Sequence, residues 1–126
     1  MKNILIVFGG GGVGSVVRYL LGRWVSGHNA VWPFPLGTFV VNITACLILG
    51  AFVGLADEKQ MLSPSVKLLL TVGFCGGFST FSTFSVETLN LLQKGQFIVA
   101  SAYILTSVFI CLAATFAGVW AVRQFA

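Results

Sequence analysis

The sequence predicts an all-α integral membrane protein with four transmembrane helices, the third of them broken. Of the 126 residues, 57% are hydrophobic and only 8% are charged, whereas about a quarter of a soluble domain is charged. A helix needs roughly 20 apolar residues to cross the hydrocarbon core, so the chain has room for four spans and not for a fifth. The long charge-free stretches that supply them are residues 3–17, 36–56, 68–86 and 95–122.

The first span is predicted over residues 3–25. Lys2 and the apolar run after it resemble the start of a signal peptide, but no small-residue cleavage site follows, and Arg18 interrupts the region where one would lie. We therefore expect a retained helix. Its glycines, residues 9–12 and 14, indicate close packing against another helix.

The second span is predicted over residues 36–56. Trp32 and Pro33 precede it, and tryptophan is typical of the membrane interface. The most polar stretch of the chain, residues 57–60 (DEKQ), follows this span. It is predicted to be a loop.

The third span is predicted over residues 65–93, with Ser63 as the N-cap and Pro64 in the first turn. Residues 73–85 contain three glycines and five hydroxyl residues, a composition that weakens a helix and offers its backbone other hydrogen bonds. We predict a break near residues 76–80. Unwound backbone at membrane depth is tolerated only inside protein or along a watery cavity, and broken helices are typical of ion and substrate sites.

The fourth span is predicted over residues 96–122, after a tight loop at Lys94 and Gly95. Because the loops are short and no repeat is visible, residues 1–126 are predicted to form one transmembrane domain. Four helices leave no room for a central pathway, so we expect a dimer with two-fold symmetry. The basic residues are scattered, which argues against a nucleic-acid partner. They differ little in number between the two sides of the membrane, which is compatible with insertion in both orientations.

Titratable groups are scarce in the predicted spans. Glu87, near the end of the third span, is the only acidic residue inside one, and the single histidine is in a loop. Catalytic dyads, metal clusters and proton relays need such groups facing one another, so we expect no enzyme. Without a C-x-x-C pair, the three cysteines are expected to behave as small hydrophobes; they are Cys46, Cys75 and Cys111.

Neutral polar and aromatic side chains occupy the spans instead. Tyr103, Ser107 and Cys111 recur at every fourth residue and share one helix face, which Thr115 extends. Hydroxyls and amides donate hydrogen bonds, and aromatic ring edges carry partial positive charge. Such a track suits a small hydrated anion that exchanges water for hydrogen bonds without being held too tightly. The other candidate lining residues are Thr38, Asn42, Phe81, Thr83 and Phe84.

The hydroxyl stripe and the phenylalanines each have an alternative, purely structural interpretation. A hydroxyl stripe on a membrane helix also serves interhelical packing, and phenylalanines are ordinary bundle core. Arg18 lies well inside the first span, where an arginine is costly and is usually functional or paired with another group.

The motifs together resemble those of the Fluc (CrcB-type) fluoride channels over the whole chain. Residues 11–18 (GGVGSVVR) are similar to the family's first-helix motif, and residues 37–42 (GTFVVN) to its second-helix GTxxxN. The most specific match is residues 76–87 (GGFSTFSTFSVE) in the third span.

The resemblance implies a fluoride-selective passive channel that exports cytoplasmic fluoride. It also implies a multi-pass protein of the bacterial inner membrane, in contact with lipid and without a protein substrate. It implies an antiparallel, dual-topology homodimer of inverted copies with two fluoride pores. The family's pore phenylalanines fall on Phe81 and Phe84, and its pore asparagine falls on Asn42. Its fourth-helix polar track falls on Tyr103 and Ser107, with Thr115 beyond.

The resemblance also implies a structural sodium ion at the centre of the dimer. Backbone carbonyls of Gly76 and Ser79 from both subunits would hold it. The sequence departs from the family at Cys111, where relatives commonly carry serine. Thr38, Thr83 and Glu87 match the pattern, and Arg18 would act electrostatically near a vestibule.

Two other functions compete with the channel. A small four-helix coupled transporter of the multidrug-resistance type needs a carboxylate in the first helix, where this sequence has Arg18 and no acid. A non-conducting accessory subunit has no need of an uninterrupted polar track beside a helix break. The sequence therefore favours the channel.

Overall fold

The computed structural model describes residues 1–28, 32–59 and 62–125, and the secondary structure of these residues is helical, without a strand. Four helical stretches are long and apolar enough to cross a membrane. The predicted all-helical fold with four spans is confirmed.

Three of the spans are single helices. They are α1 (Lys2–His28), α2 (Leu36–Lys59) and α6 (Phe97–Phe125). The prediction of a loop at residues 57–60 is wrong for residues 57–59, which continue α2; Gln60 lies outside the described residues. Glutamate and lysine are good helix formers, so the polarity of this stretch shows where the helix leaves the membrane and not where it ends.

The third span contains four helical pieces with a break. Ser63 caps its start, because its hydroxyl accepts a hydrogen bond from the Val66 N–H at 3.3 Å. Ser79 and Thr80 are extended and interrupt the span, so the break lies at the end of the predicted interval. The pieces are α3 (Pro64–Lys67), a π-helix (Leu68–Cys75), α4 (Gly76–Phe78) and α5 (Phe81–Gln93).

The helices pack in two pairs around this break. The first helix lies against the π-helix and α4, while α2 lies along α6. Gly14 permits the first contact, because a Cβ there would collide with the Phe74 carbonyl and lie 2.9 Å from the Phe78 nitrogen. A tight turn joins α5 to α6 at Gly95, whose φ of 72° favours glycine.

The outer surface is strongly apolar. Large side chains on α1 and α6 point outward, and Phe8, Ile98 and Phe116 are each more than three-quarters exposed. In water such a continuous apolar surface would drive aggregation, whereas in a bilayer lipid tails or another membrane subunit cover it. The protein is therefore a multi-pass membrane protein.

Candidate functional site

Asn42 of α2 pairs with the backbone at the break in the third span. Its Oδ1 accepts a hydrogen bond from the Thr80 N–H at 2.9 Å, and its Nδ2 donates to the Thr80 carbonyl at 3.2 Å. One side chain thus pairs with both backbone groups of a residue that is buried and non-helical. Because unpaired backbone groups are costly at membrane depth, Asn42 is what makes the break compatible with lipid.

Two backbone carbonyls lose their usual helical partners as a result. In a continuous α-helix the Thr80 N–H would bond to the Gly76 carbonyl, and the Thr83 N–H would bond to the Ser79 carbonyl. Here the Thr80 N–H donates to Asn42, and the Thr83 N–H donates to Thr80 Oγ1 at 3.3 Å. Oxygen atoms of this kind are the ligands that hard cations prefer.

Thr80 also organises the hydroxyl groups that follow the break. It is the N-cap of α5, and its hydroxyl donates to Thr83 Oγ1 at 2.9 Å. The Ser82 hydroxyl lies 3.4 Å from Thr80 Oγ1. The polar residues that the sequence marked as weakening the helix therefore bond to one another at the start of α5.

A cavity of about 260 Å³ opens beside the break between α2, α5 and α6. We refer to it as the break cavity. Five residues of the predicted track and lining meet here, so candidates from α2, α5 and α6 share one surface. The cavity is lined by Asn42, Cys46, Ser79, Thr80, Phe81, Phe84, Ser107, Val108 and Cys111.

The Ser107 hydroxyl stands out among the lining groups. The side chain is buried, and within the described part of the chain its Oγ has no hydrogen-bond partner. A buried hydroxyl without a partner carries a free-energy cost, so it is a donor that a polar occupant of the cavity would satisfy.

Glu87 joins three helices at one end of this region. Its Oε1 accepts a hydrogen bond from Thr38 of α2 at 2.7 Å, and its Oε2 accepts one from the hydroxyl of Tyr103 of α6 at 2.8 Å. Tyr103 is fully buried. The structure therefore brings two predicted pathway residues onto a carboxylate to which the sequence gave no role.

The two phenylalanines stack near the buried tyrosine. The rings of Phe81 and Phe84 are 5.5 Å apart, and those of Phe84 and Tyr103 are 4.9 Å apart. Phe81 is 78% exposed on this single chain although it lines the break cavity. Its outer face is consequently open to lipid or to another subunit.

Arg18 lies in a neighbouring cavity of about 370 Å³, the arginine cavity, which it lines with Arg23, Thr38, Thr80 and Thr83. Thr80 lines both this cavity and the break cavity. The arginine that the sequence singled out thus lies beside the break, on the α1 side.

A third cavity, of about 290 Å³, lies towards the end of the bundle where α5 finishes. Its lining combines Trp32 and Phe34 with Glu87, Asn90 and Lys94. We refer to it as the mouth cavity. It shares Gly37 and Ser26 with the arginine cavity, so the three cavities follow one another along the bundle.

Three predicted site residues lie outside these linings among the described residues: Tyr103, which donates to Glu87, Thr115 and Gly76. Thr115 donates its hydroxyl to the Cys111 carbonyl at 3.0 Å, and its backbone faces Gly50 of α2. Gly76 is exposed on the single chain. Sequence reasoning missed Cys46 as a lining residue; its position four residues after Asn42, on the same helix face, was the available signal.

The sequence of this chain is similar to those of known proteins over nearly its full length. The sequence profile of the family described as "CrcB-like protein, Camphor Resistance (CrcB)" matches residues 5–119. The chain is 44% identical over 119 residues to a fluoride-specific ion channel of Oceanobacillus iheyensis, covering 94% of this chain and 90% of that protein. It is 44% identical over 118 residues to one of Flavobacterium psychrophilum, covering 94% of each. It is 40% identical over 124 residues to one of Leptospira interrogans, covering 98% of this chain and 97% of that protein.

Proposed function

Because the chain belongs to the CrcB-like family, we propose that it is a fluoride-selective passive ion channel that exports cytoplasmic fluoride. The observation that carries this proposal is the similarity, over nearly the full length, to relatives named as fluoride-specific ion channels. Ion channels are not enzymes, in keeping with the sequence expectation.

The break cavity has the chemistry that a fluoride path needs. Ser107 offers a hydroxyl without a partner, and Asn42 retains one amide hydrogen beyond the one it gives to Thr80. The ring edges of Phe81 and Phe84 add partial positive charge. Among the described residues, no lysine or arginine lines this cavity, so a bound anion is not held too tightly to leave.

The neighbouring cavities supply an electrostatic approach to it. We propose that fluoride moves between the break cavity, the arginine cavity and the mouth cavity, whose linings include Arg18 and Lys94. Positive charge near a narrow opening raises the local anion concentration. Thr83 lies in the arginine cavity as a donor along this route.

Thr38 and Tyr103 can take part in this route only when their hydroxyls release Glu87. Both hydroxyls donate to Glu87, so each contacts fluoride only after turning away from the carboxylate. In this proposal Glu87 holds the two donors in place and exchanges them with the passing ion. Thr115 extends the track beyond Cys111, where its hydroxyl is bonded to its own helix.

The working unit in this proposal is a homodimer of two inverted copies, which contains two pores. The exposed outer face of Phe81 and the apolar faces of α1 and α6 support it, because a second copy would enclose a cavity that a single chain leaves open. The weak charge bias of the sequence permits both orientations.

A structural sodium ion at the dimer centre fits the residues at the break. The Gly76 and Ser79 carbonyls have lost their helical partners to Asn42 and Thr80, and two copies would supply four such oxygens. When bound, the ion supplies positive charge that holds the two breaks together. Gly76 is exposed on the single chain, as a contact with a second copy requires.

Removing sodium is expected to destabilise the purified protein. Thermal unfolding in detergent would be compared in sodium and in N-methyl-D-glucamine, a cation too large for a carbonyl site. An ion at a hundred times its dissociation constant stabilises by about 2.7 kcal/mol, so the midpoint should rise with sodium, and above the dissociation constant it should rise with the logarithm of the sodium concentration. Equal midpoints in both cations at matched ionic strength would count against the sodium site.

Passive conduction is tested by the driving force for release. Vesicles that contain the protein and potassium fluoride should retain most of their fluoride until a potassium ionophore balances the charge, and should then release it rapidly to a fluoride electrode. A proton-coupled transporter, the alternative class, would instead release fluoride on a pH gradient without the ionophore. That result, or no release at all, would contradict the channel.

A further inference from the structure

Cys46 and Cys111 both line the break cavity. Cys46 belongs to α2 and Cys111 to α6, and both side chains are half-buried and line the same space. Because α2 packs along α6, both thiols reach the same space. Two residues that are far apart in the sequence and read singly as small hydrophobes therefore form a pair of free thiols facing one cavity.

The surroundings of this pair are those of a ligand site. The Ser107 hydroxyl, one helical turn before Cys111, is buried without a partner and lines the same cavity. The space of about 260 Å³ leaves the thiols accessible from the cavity. Cys75 differs from them, because it is only 2% exposed and does not belong to the lining.

The number of ligands selects the kind of metal. No group of three or more histidine, cysteine, aspartate or glutamate side chains suited to a metal occurs among the described residues, whereas a structural zinc site uses four ligands. Thiolate sulfur prefers soft cations. Two sulfurs facing one cavity suit a soft cation that accepts linear, two-coordinate binding, and Hg(II) is such a cation.

Charge favours divalent mercury over monovalent soft cations. The reaction is Hg²⁺ + 2 RSH → RS–Hg–SR + 2 H⁺, in which two S–H bonds break, two Hg–S bonds form and nothing is oxidised or reduced. The product carries no net charge. Because burying an uncompensated charge at membrane depth is costly, a neutral complex suits this position better than the anionic complex that silver or cuprous ion would form with two thiolates.

We propose that Cys46 and Cys111 form a two-coordinate site for Hg(II) within the break cavity, and that its occupation obstructs ion movement. The obstruction rests on the proposed function, because it requires the break cavity to be part of the ion path. The binding does not, since it depends only on the position of the two thiols.

Binding is measured with mercuric chloride on the purified protein in detergent, with a monothiol such as 2-mercaptoethanol as competitor. The wild-type chain should retain one mercury per chain. Cys46→Ser and Cys111→Ser should each weaken retention by roughly 10²- to 10⁴-fold, the usual gain when two linked groups bind one ligand. Cys75→Ser is the matched control and should retain mercury as the wild type does.

Two results would overturn the site. One is retention in Cys46→Ser or Cys111→Ser equal to that of the wild type. The other is a loss in Cys75→Ser as large as theirs. Size-exclusion profiles establish that each variant is folded, and Cys46→Ala and Cys111→Ala repeat the test without a hydroxyl in place of the thiol.

Obstruction is measured as fluoride efflux with mercury divided by efflux without it, separately for each variant. Mercury should lower this ratio at least tenfold in the wild type and in Cys75→Ser, with recovery after a dithiol chelator. The ratio should stay near one in Cys46→Ser and Cys111→Ser. Unchanged efflux from mercury-loaded wild type would overturn the obstruction. Mercury binding without any fluoride efflux before treatment would instead refute the proposed function and leave the site standing.

Discussion

Replacing Asn42 with alanine is expected to lower fluoride efflux by at least an order of magnitude. The substitution removes both hydrogen bonds to the backbone of Thr80. Two buried backbone groups then lack partners, at about 1–3 kcal/mol each. We expect the broken segment either to become continuous helix or to lose its ordered conformation. Either change would alter the break cavity and the Gly76 and Ser79 carbonyls together. The measurement is fluoride efflux from vesicles together with thermal unfolding in sodium.

Thr44→Val is the matched control for this prediction. Thr44 lies on the same helix and is also half-buried, but its hydroxyl donates to the Val40 carbonyl of its own helix at 2.8 Å and does not touch the break. Its efflux should stay within about twofold of the wild type, since a bond of this type contributes little net stability. Efflux from Asn42→Ala that equals that of Thr44→Val would show that the break does not depend on Asn42.

Replacing Gly14 with alanine should prevent α1 from packing on the third span. The added Cβ would collide with the Phe74 carbonyl and approach the Phe78 nitrogen, and both are backbone atoms that cannot rotate away. We expect a loss of about 3 kcal/mol or more, at the upper end of the range for overpacked interiors. The yield of monodisperse protein and its unfolding midpoint in detergent measure this loss.

Gly12→Ala tests whether the loss of stability comes from the close contact at position 14 or from any glycine-to-alanine change in α1. Gly12 is on the same helix, but an added Cβ meets nothing within 4 Å in the chain. Alanine has the higher helix propensity, so this variant should be as stable as the wild type or more so. Equal destabilisation by the two substitutions would contradict the packing of α1 on the π-helix.

The four spans could be predicted because hydropathy and charge-free length are local properties of the sequence. The break could be predicted for the same reason, since its glycines and hydroxyl residues lie within one short stretch. The end of α2 could not, because residues 57–59 are polar in sequence yet remain helical where the chain leaves the membrane. The π-helix at Leu68–Cys75 has no sequence signal that we recognise.

The residues of the site could be predicted from the sequence, but their hydrogen-bond partners could not. The spacing of Tyr103, Ser107 and Cys111 placed them on one helix face, and two of them line the break cavity. That Asn42 pairs with Thr80, or that Tyr103 and Thr38 meet at Glu87, depends on how distant helices pack. A single sequence carries no direct record of such long-range contacts.

In the proposed function, the broken third span holds a path selective for fluoride. Vesicles loaded with equal amounts of potassium fluoride and potassium chloride test it most directly, with one electrode for each anion. After addition of a potassium ionophore, we expect rapid and nearly complete release of fluoride, with chloride retained until detergent is added. Chloride release at the same rate as fluoride, or retention of both anions, would contradict it.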